Sequence, residues 1–239
     1  MGDGYLTEEA HWEERWRRIR EPKEIRRDTK HPVNSELIKI FDAYLPQQTG
    51  LNILEIGGAP GQFLAYFAKE FGYSAHAIDY SATGCDKMRQ AFGIANLDVT
   101  IYNRDIFADI SDLPSFDIVF SMGFIEHFSD LDSIVEKHIE LLKKQGILLL
   151  GVPNYRGITQ NVLKRLAPQK LSIQNLETMD IKNWESFEKK YGLNTIFKEY
   201  IGGFNPGSFR RCENRTLRNV LIRFFSRLSE FLLPTALLS

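Results

Sequence analysis

Cysteine is scarce in this chain, and so is any excess of charge. Two cysteines, Cys85 and Cys212, stand far apart among 239 residues. Such a pair supplies neither a disulfide framework nor the spacing of a zinc site, so no metal is expected and a reducing, cytoplasmic setting fits. The formal net charge is -1, which argues against a surface built to hold phosphate backbones, and no nucleic-acid partner is expected. No apolar run reaches the length of about 18 residues at which a spanning helix is read. The opening residues, MGDGYLTEEAHWEERW, are acidic and lack a basic region followed by an apolar one, so a secretory signal is not expected. Internal repeats and low-complexity tracts are missing too. Apolar residues make up 43% of the chain, enough for a sizeable core, and global disorder is excluded.

What remains is a strict alternation. LNILEI reads as a strand, QFLAYFAKEF as a helix, SAHAID as a strand and SATGCDKMRQAFG as a helix with Ser81 as cap and Gly93 at its end. LDVTIY and FDIVFS read as strands. SDLDSIVEKHIELLKKQG reads as a helix capped at Ser129 or Asp130 and closed by Gly146, and GILLLGVP as a strand buried on both faces. Residues 156–190 read as mixed helix and loop, and LNTIFKEYIGG as a later strand. This rhythm predicts an α/β fold with a parallel sheet and right-handed crossovers. Ahead of it, Trp12 and Trp16 lie one helical turn apart on a charged amphipathic helix, and NSELIKIFDAYL predicts a second helix capped by Asn34 or Ser35. The tryptophans either staple their helix to the domain or also cover a ligand site, and His11 with Trp12 is positioned to close such a site.

The first strand runs into a turn richer in glycine than a plain turn requires. Gly57, Gly58 and Gly61 allow a ligand close to the backbone and permit positive φ, Ala59 keeps the loop small and Pro60 stiffens it near the helix start. In an open parallel sheet, ligands bind beyond the carboxyl ends of the strands. Asp79 ends the second strand, where a carboxylate can accept from both hydroxyls of a ribose; capping of the next helix is its other reading. NRDIF puts Asp105 and Ile106 after the third strand. An acid beside an apolar side chain suits adenine, and a simple turn is the alternative.

Glu55-Ile56-Gly57-Gly58-Ala59-Pro60-Gly61 resembles motif I of class I S-adenosylmethionine-dependent methyltransferases, with Ala59 in place of the middle glycine. FDIVFSMGFIEHFSD resembles the fourth strand and following loop of the small-molecule (type-11/type-12-like) branch, and LLKKQGILLLGVPN its fifth-strand segment. The resemblance spans roughly residues 50–155. It implies a Rossmann-like three-layer αβα sandwich with a mostly parallel central sheet, an N-terminal helical cap over residues 1–46, a cofactor-binding core over 47–208 and a C-terminal amphipathic helix over 209–239. It implies S-adenosyl-L-methionine as cofactor, with Asp79 on the ribose and Asp105 on the adenine. Glu55, Gly57, Gly58, Ala59, Gly61, Tyr80, Ile106, Ser121 and Met122 complete the candidate cofactor-binding set.

Methyl transfer from a sulfonium needs alignment, exclusion of water and sometimes removal of a proton. His127, beside Glu126 in the loop after the fourth strand, is the candidate general base; packing against the cofactor is its other reading. The expected acceptor is a small molecule or a lipid- or sugar-linked one, with O-methylation favoured. TLRNVLIRFFSRLSEFLL presents an apolar face flanked by Arg215, Arg218, Arg223 and Arg227, which can lie on a membrane or dock on its own domain. After it only PTALLS remains. Either the family's final strand is missing and this helix covers the sheet edge, or the chain is truncated. Two other readings stay open: an RNA methyltransferase, which the Ala-Pro-Gly of the loop resembles but which Ser121-Met122-Gly123 and the near-neutral charge do not fit, and a non-catalytic protein acting through its C-terminal helix. Oligomeric state is not readable.

Overall fold

The computed structural model describes residues 4–202. The expected C-terminal helix over 209–239 lies outside the described residues. In chain order the elements are α1 (Glu9–Arg17), α2 (Pro32–Tyr44), β1 (Asn52–Ile56), α3 (Gln62–Phe71), β2 (Ser74–Asp79), α4 (Ala82–Ala95), β3 (Val99–Asn103), β4 (Phe116–Met122), α5 (Leu131–Glu140), β5 (Leu142–Gly151), α6 (Ile158–Leu166), α7 (Pro168–Ser172) and α8 (Glu185–Tyr191). A 3-10 turn at Ile125–His127 follows β4, and two more lie between α7 and α8.

Among the described residues the sheet has five strands in the order β3-β2-β1-β4-β5, every pair parallel. The order reverses between β1 and β4, which opens a crevice at their carboxyl ends. Successive residues of a strand point to opposite faces. Ile53, Ala75, Ala77, Ile118 and Phe120 therefore meet α2, α3 and α4 on one side, while Leu54, Ile56, Ile78 and Val119 meet α5 and the Ile125–His127 turn on the other. These are the three layers that the resemblance implies.

Helix ends follow local chemistry. The Ser81 hydroxyl accepts from Gly84 N at 2.9 Å, and the Asp130 carboxylate accepts from Ser133 N at 3.1 Å, each satisfying one first-turn donor. α4 runs past Gly93 and ends on Asn96 in the left-handed region. α2 starts two residues before its expected cap, because Pro32 suits the first helical position and His31 Nδ1 accepts from Asn34 N at 3.4 Å.

Three expectations are corrected. The helix after β4 stops at Glu140 rather than Gly146. Phe116 N donates to Leu141 O at 2.8 Å and Leu142 pairs with Phe116, so sheet pairing overrides the helical propensity of LLKKQ. β5 then bulges, with Gln145 at φ 65°, before rejoining the ladder at Ile147. As an edge strand among the described residues it is half-buried, not buried on both faces. Residues 193–202 of LNTIFKEYIGG join no strand. Side chains hold them to helical parts instead: Lys198 pairs with Glu188 at 2.8 Å, Tyr200 donates to Met179 O at 3.1 Å, and the Phe197 ring packs tilted against Tyr44 at 5.2 Å.

Phe67 on α3 is fully buried, with ring centroids 4.8 Å from Phe41 and 5.1 Å from Phe120. It joins α2, α3 and β4 under the glycine loop. Phe67→Ala is expected to cost about 3–5 kcal/mol, and thermal unfolding reads this as a drop of roughly 2–4 °C for each kcal/mol lost.

Candidate active site

The glycine loop is built by close contact. Gly57 has φ 67° and its N–H donates to Ile78 O at 2.9 Å. A β-carbon there would enter the Phe124 ring. Gly61, at φ 83°, forms the left-handed N-cap of α3 against Met88. Both positions exclude an ordinary side chain. Asp79 ties this loop to β2: its carboxylate accepts from Ala59 N at 3.1 Å and from Ser81 N at 2.8 Å. Burial raises its pKa to about 6; those two N–H groups work against the rise, and Glu13 adds to it. Glu55 is buried at 4% exposure, and its Oε2 has no hydrogen-bond partner. Burial, with Asp79 nearby, holds its carboxyl well above the usual range. Tyr80 follows Asp79 with a buried hydroxyl, also unpartnered.

These residues share one cavity. Glu55, Gly57, Gly58, Ala59, Asp79, Tyr80 and Met122 line it, together with Glu126 and His127. Ser121 does not face it: its side chain is fully buried and its hydroxyl sits 3.0 Å from His138 Nε2, against α5. Ile106 is buried in the β4–α5 core. Asp105 stands at the carboxyl edge of β3, where Phe107 N donates to its Oδ1 at 2.9 Å and the Tyr5 hydroxyl donates to the same oxygen.

His127 is 7% exposed. Its Nδ1 lies 2.8 Å from Ile173 O. A carbonyl only accepts, so Nδ1 carries the proton and Nε2 keeps the lone pair. Burial lowers the imidazole pKa to about 4; the Ile173 bond works against this, while Arg15 and His11 reinforce it. Nε2 has Glu126 Oε1 at 3.8 Å and Gln174 Nε2 at 3.5 Å. Glu126 is 2% exposed, and burial pushes its carboxyl up to about 8. Glu126 Oε2 and Gln174 Oε1 are buried without partners.

α1 covers this arrangement. Glu13 accepts from Ser81 Oγ at 2.7 Å and Thr83 N at 3.3 Å. Trp16 is buried near Gly84 and acts as the staple, whereas Trp12 stacks on Trp16 and meets the His127 ring edge-on at 4.8 Å. Both tryptophans line the cavity. His11 packs on Trp12 at 5.3 Å.

A family model described as a methyltransferase domain matches residues 26–199. The chain belongs to the methyltransferase-domain family. It has the class I fold, and the family depends on S-adenosylmethionine. A ubiquinone biosynthesis O-methyltransferase of Chelativorans sp. (strain BNC1) is 30% identical over 107 residues, 44% of this chain; the chain spans only 41% of that relative. A proposed sarcosine dimethylglycine methyltransferase from Galdieria sulphuraria has the same fold, with a TM-score of 0.58 at 17% identity, covering 95% of this chain and 86% of that one. Phosphoethanolamine N-methyltransferase 2 of Haemonchus contortus, solved with phosphomonomethylethanolamine and S-adenosylhomocysteine, gives 0.53 at 21% identity, covering 84% and 45%. Among the described residues, no helix is long and apolar enough to cross a membrane and no cluster could hold a metal ion.

Sequence reasoning missed Tyr5, Glu13 and Gln174. No periodicity or motif marks them; each reaches the site through tertiary packing. Glu126 makes the site's pH dependence testable. A carboxyl whose folded pKa lies near 8, against about 4.3 unfolded, binds the extra proton in the folded state, so stability falls as pH rises through that window. Glu126→Gln removes the titration. Relative to the unsubstituted protein it gains stability from pH 5 to pH 8, at about 1.4 kcal/mol per pH unit where the states differ by a full proton. Urea unfolding at both pH values reads the difference; an equal offset at the two would refute the assignment.

Proposed function

We propose that this methyltransferase moves a methyl group from S-adenosylmethionine to a hydroxyl of a small-molecule acceptor. The observation that carries the reading is the shared cavity, whose lining includes Asp79, the glycine loop, Glu126 and His127. The 30% identity to an O-methyltransferase supports oxygen as the nucleophile. The lipid-linked version rests on the helix expected over 209–239, outside the described residues, and has no support among the described ones.

The residues present fit the cofactor. Asp79 accepts from the ribose hydroxyls, Asp105 from the adenine amine, and Ile106 supplies backbone at the adenine edge. The unpartnered Glu55 Oε2 suits an ammonium. Gly58 leaves that carboxyl room, since a β-carbon there would lie 3.1 Å from Oε2. Gly57, Ala59 and Gly61 let the backbone approach, Tyr80 and Met122 border the sugar and sulfur, and Ser121 acts through the packing of β4. Bound there, the cofactor supplies an electrophilic methyl group with a neutral leaving group. The protein's part is alignment, exclusion of water by Trp12 and Phe124, and acceptance of the hydroxyl proton at His127 Nε2.

Calorimetry with S-adenosylhomocysteine tests the cofactor end. The unsubstituted chain binds it and ignores NADH, and Asp79→Ala weakens binding roughly ten- to a hundredfold, the worth of about 1.5–3 kcal/mol of hydrogen bonds to a charged group. Equal binding by both proteins sinks the assignment. At the acceptor end, His127→Gln leaves this affinity in place and lowers kcat for a hydroxyl acceptor by about 10²–10⁴-fold.

A further inference from the structure

Residues 4–6 form a short strap across the ends of β3 and β4. Leu6 N donates to His127 O at 2.9 Å and Ser129 N donates to Gly4 O at 2.8 Å. Tyr5 pairs with Phe128 as an isolated antiparallel bridge. The strap seats the Tyr5 ring among three others, with centroids 4.9 Å from Phe128, 5.7 Å from Phe107 and 6.1 Å from Tyr80. Its hydroxyl donates to Asp105 Oδ1. Burial first, then the Asp105 carboxylate, raises the Tyr5 pKa, so the phenol remains a donor.

The consequence lies in how Asp105 is oriented. Carboxylate rotation about the Asp side chain is broad and close to two-fold, so a lone aspartate offers either oxygen in a range of directions. Here Oδ1 takes two donors, the Tyr5 hydroxyl and Phe107 N, which come from separate parts of the chain. Oδ2 has no hydrogen-bond partner among the described residues. Two bonds on one oxygen hold the group still and leave the other oxygen as its open acceptor. We infer that Tyr5 is a positioning residue for the cofactor's base: by holding Asp105 through Oδ1 it presents Oδ2 as a fixed acceptor, and so selects a purine bearing an exocyclic amine over one bearing a carbonyl there. This rests on the reading of Asp105 as the adenine partner.

The test compares S-adenosylhomocysteine with S-inosylhomocysteine, which carries oxygen in place of the amine, by calorimetry on the full chain. The unsubstituted protein prefers the adenosyl ligand by about tenfold or more, the worth of one hydrogen bond to a charged group. Asp105→Asn abolishes that preference. Tyr5→Phe keeps the ring and the backbone bridge but frees the carboxylate, and the preference shrinks about threefold or more. A ratio of two ligands on one variant separates positioning from structure, because general loosening of the strap weakens both affinities in parallel. If Asp105→Asn leaves both affinities unchanged, the adenine reading fails and this inference with it. If Asp105→Asn loses the preference and Tyr5→Phe keeps it, the adenine reading stands and the role of Tyr5 is overturned.

Discussion

Asp79 accepts hydrogen bonds from two backbone N–H groups that belong to different parts of the site. Ala59 N–H comes from the β1–α3 loop and Ser81 N–H from the start of α4, so one carboxylate sets the spacing between the glycine loop and the end of β2. The chain of contacts continues outward. Ser81 caps α4 and donates to Glu13 on α1. Gly84, in the first turn of that helix, has room for no β-carbon, because Ala59 and Trp16 already lie 2.7 and 3.0 Å from where it would be. Loop, helix start and cap helix are packed around one acid. Burial works against its charge, and its two N–H donors work for it.

The same logic explains why the N-terminal segment matters to a site made by the sheet. A parallel sheet supplies loops at one edge but no wall above them. Residues 4–16 supply that wall through three attachments spread along the crevice: the Tyr5 hydroxyl on Asp105, Glu13 on Ser81 and Thr83, and Trp12 on His127. Each joins a group from the segment to a strand-end loop. The segment therefore reaches from Asp105 at the β3 edge to His127, and its His11, Trp12, Arg15 and Trp16 line the cavity.

Legibility in the sequence tracked how local the cause was. α3 and β2 match the expected stretches residue for residue, since the period lies within each stretch and Gly61 and Gly72 bound the helix. The strand-end positions of Asp79 and Asp105 followed from that register. Failures came where a distant partner decided the outcome. LLKKQ has helical propensity, and only pairing with Phe116 turns it into strand. LNTIFKEYIGG has strand composition, and Glu188, Met179 and Tyr44 claim its side chains instead. Ser121 occupies the expected strand end, yet its hydroxyl turns to His138 on α5, a contact that no local pattern reveals. Tyr5 lies 100 residues from Asp105, and nothing in the spacing of the first residues announces that contact.

Glu126 and His127 invert their solution order of acidity. The carboxyl rises to about 8 and the imidazole falls to about 4, both chiefly through burial, which disfavours whichever form is charged. At neutral pH the pair is thus uncharged, which a buried and otherwise unpaired site requires. In the proposed reaction this has a cost and a use. A neutral imidazole with its Nε2 lone pair intact is ready to accept a proton, but its lowered pKa makes it a weak base. Protonation creates an imidazolium with Glu126 Oε1 only 3.8 Å away. Opposite charges at that distance inside a protein attract by about 4 kcal/mol at an effective dielectric constant of 20. Each ionisation therefore favours the other, raising the basicity of His127 when Glu126 loses its proton. Burial sets both groups neutral at rest, and their proximity makes them a coupled pair once one of them ionises.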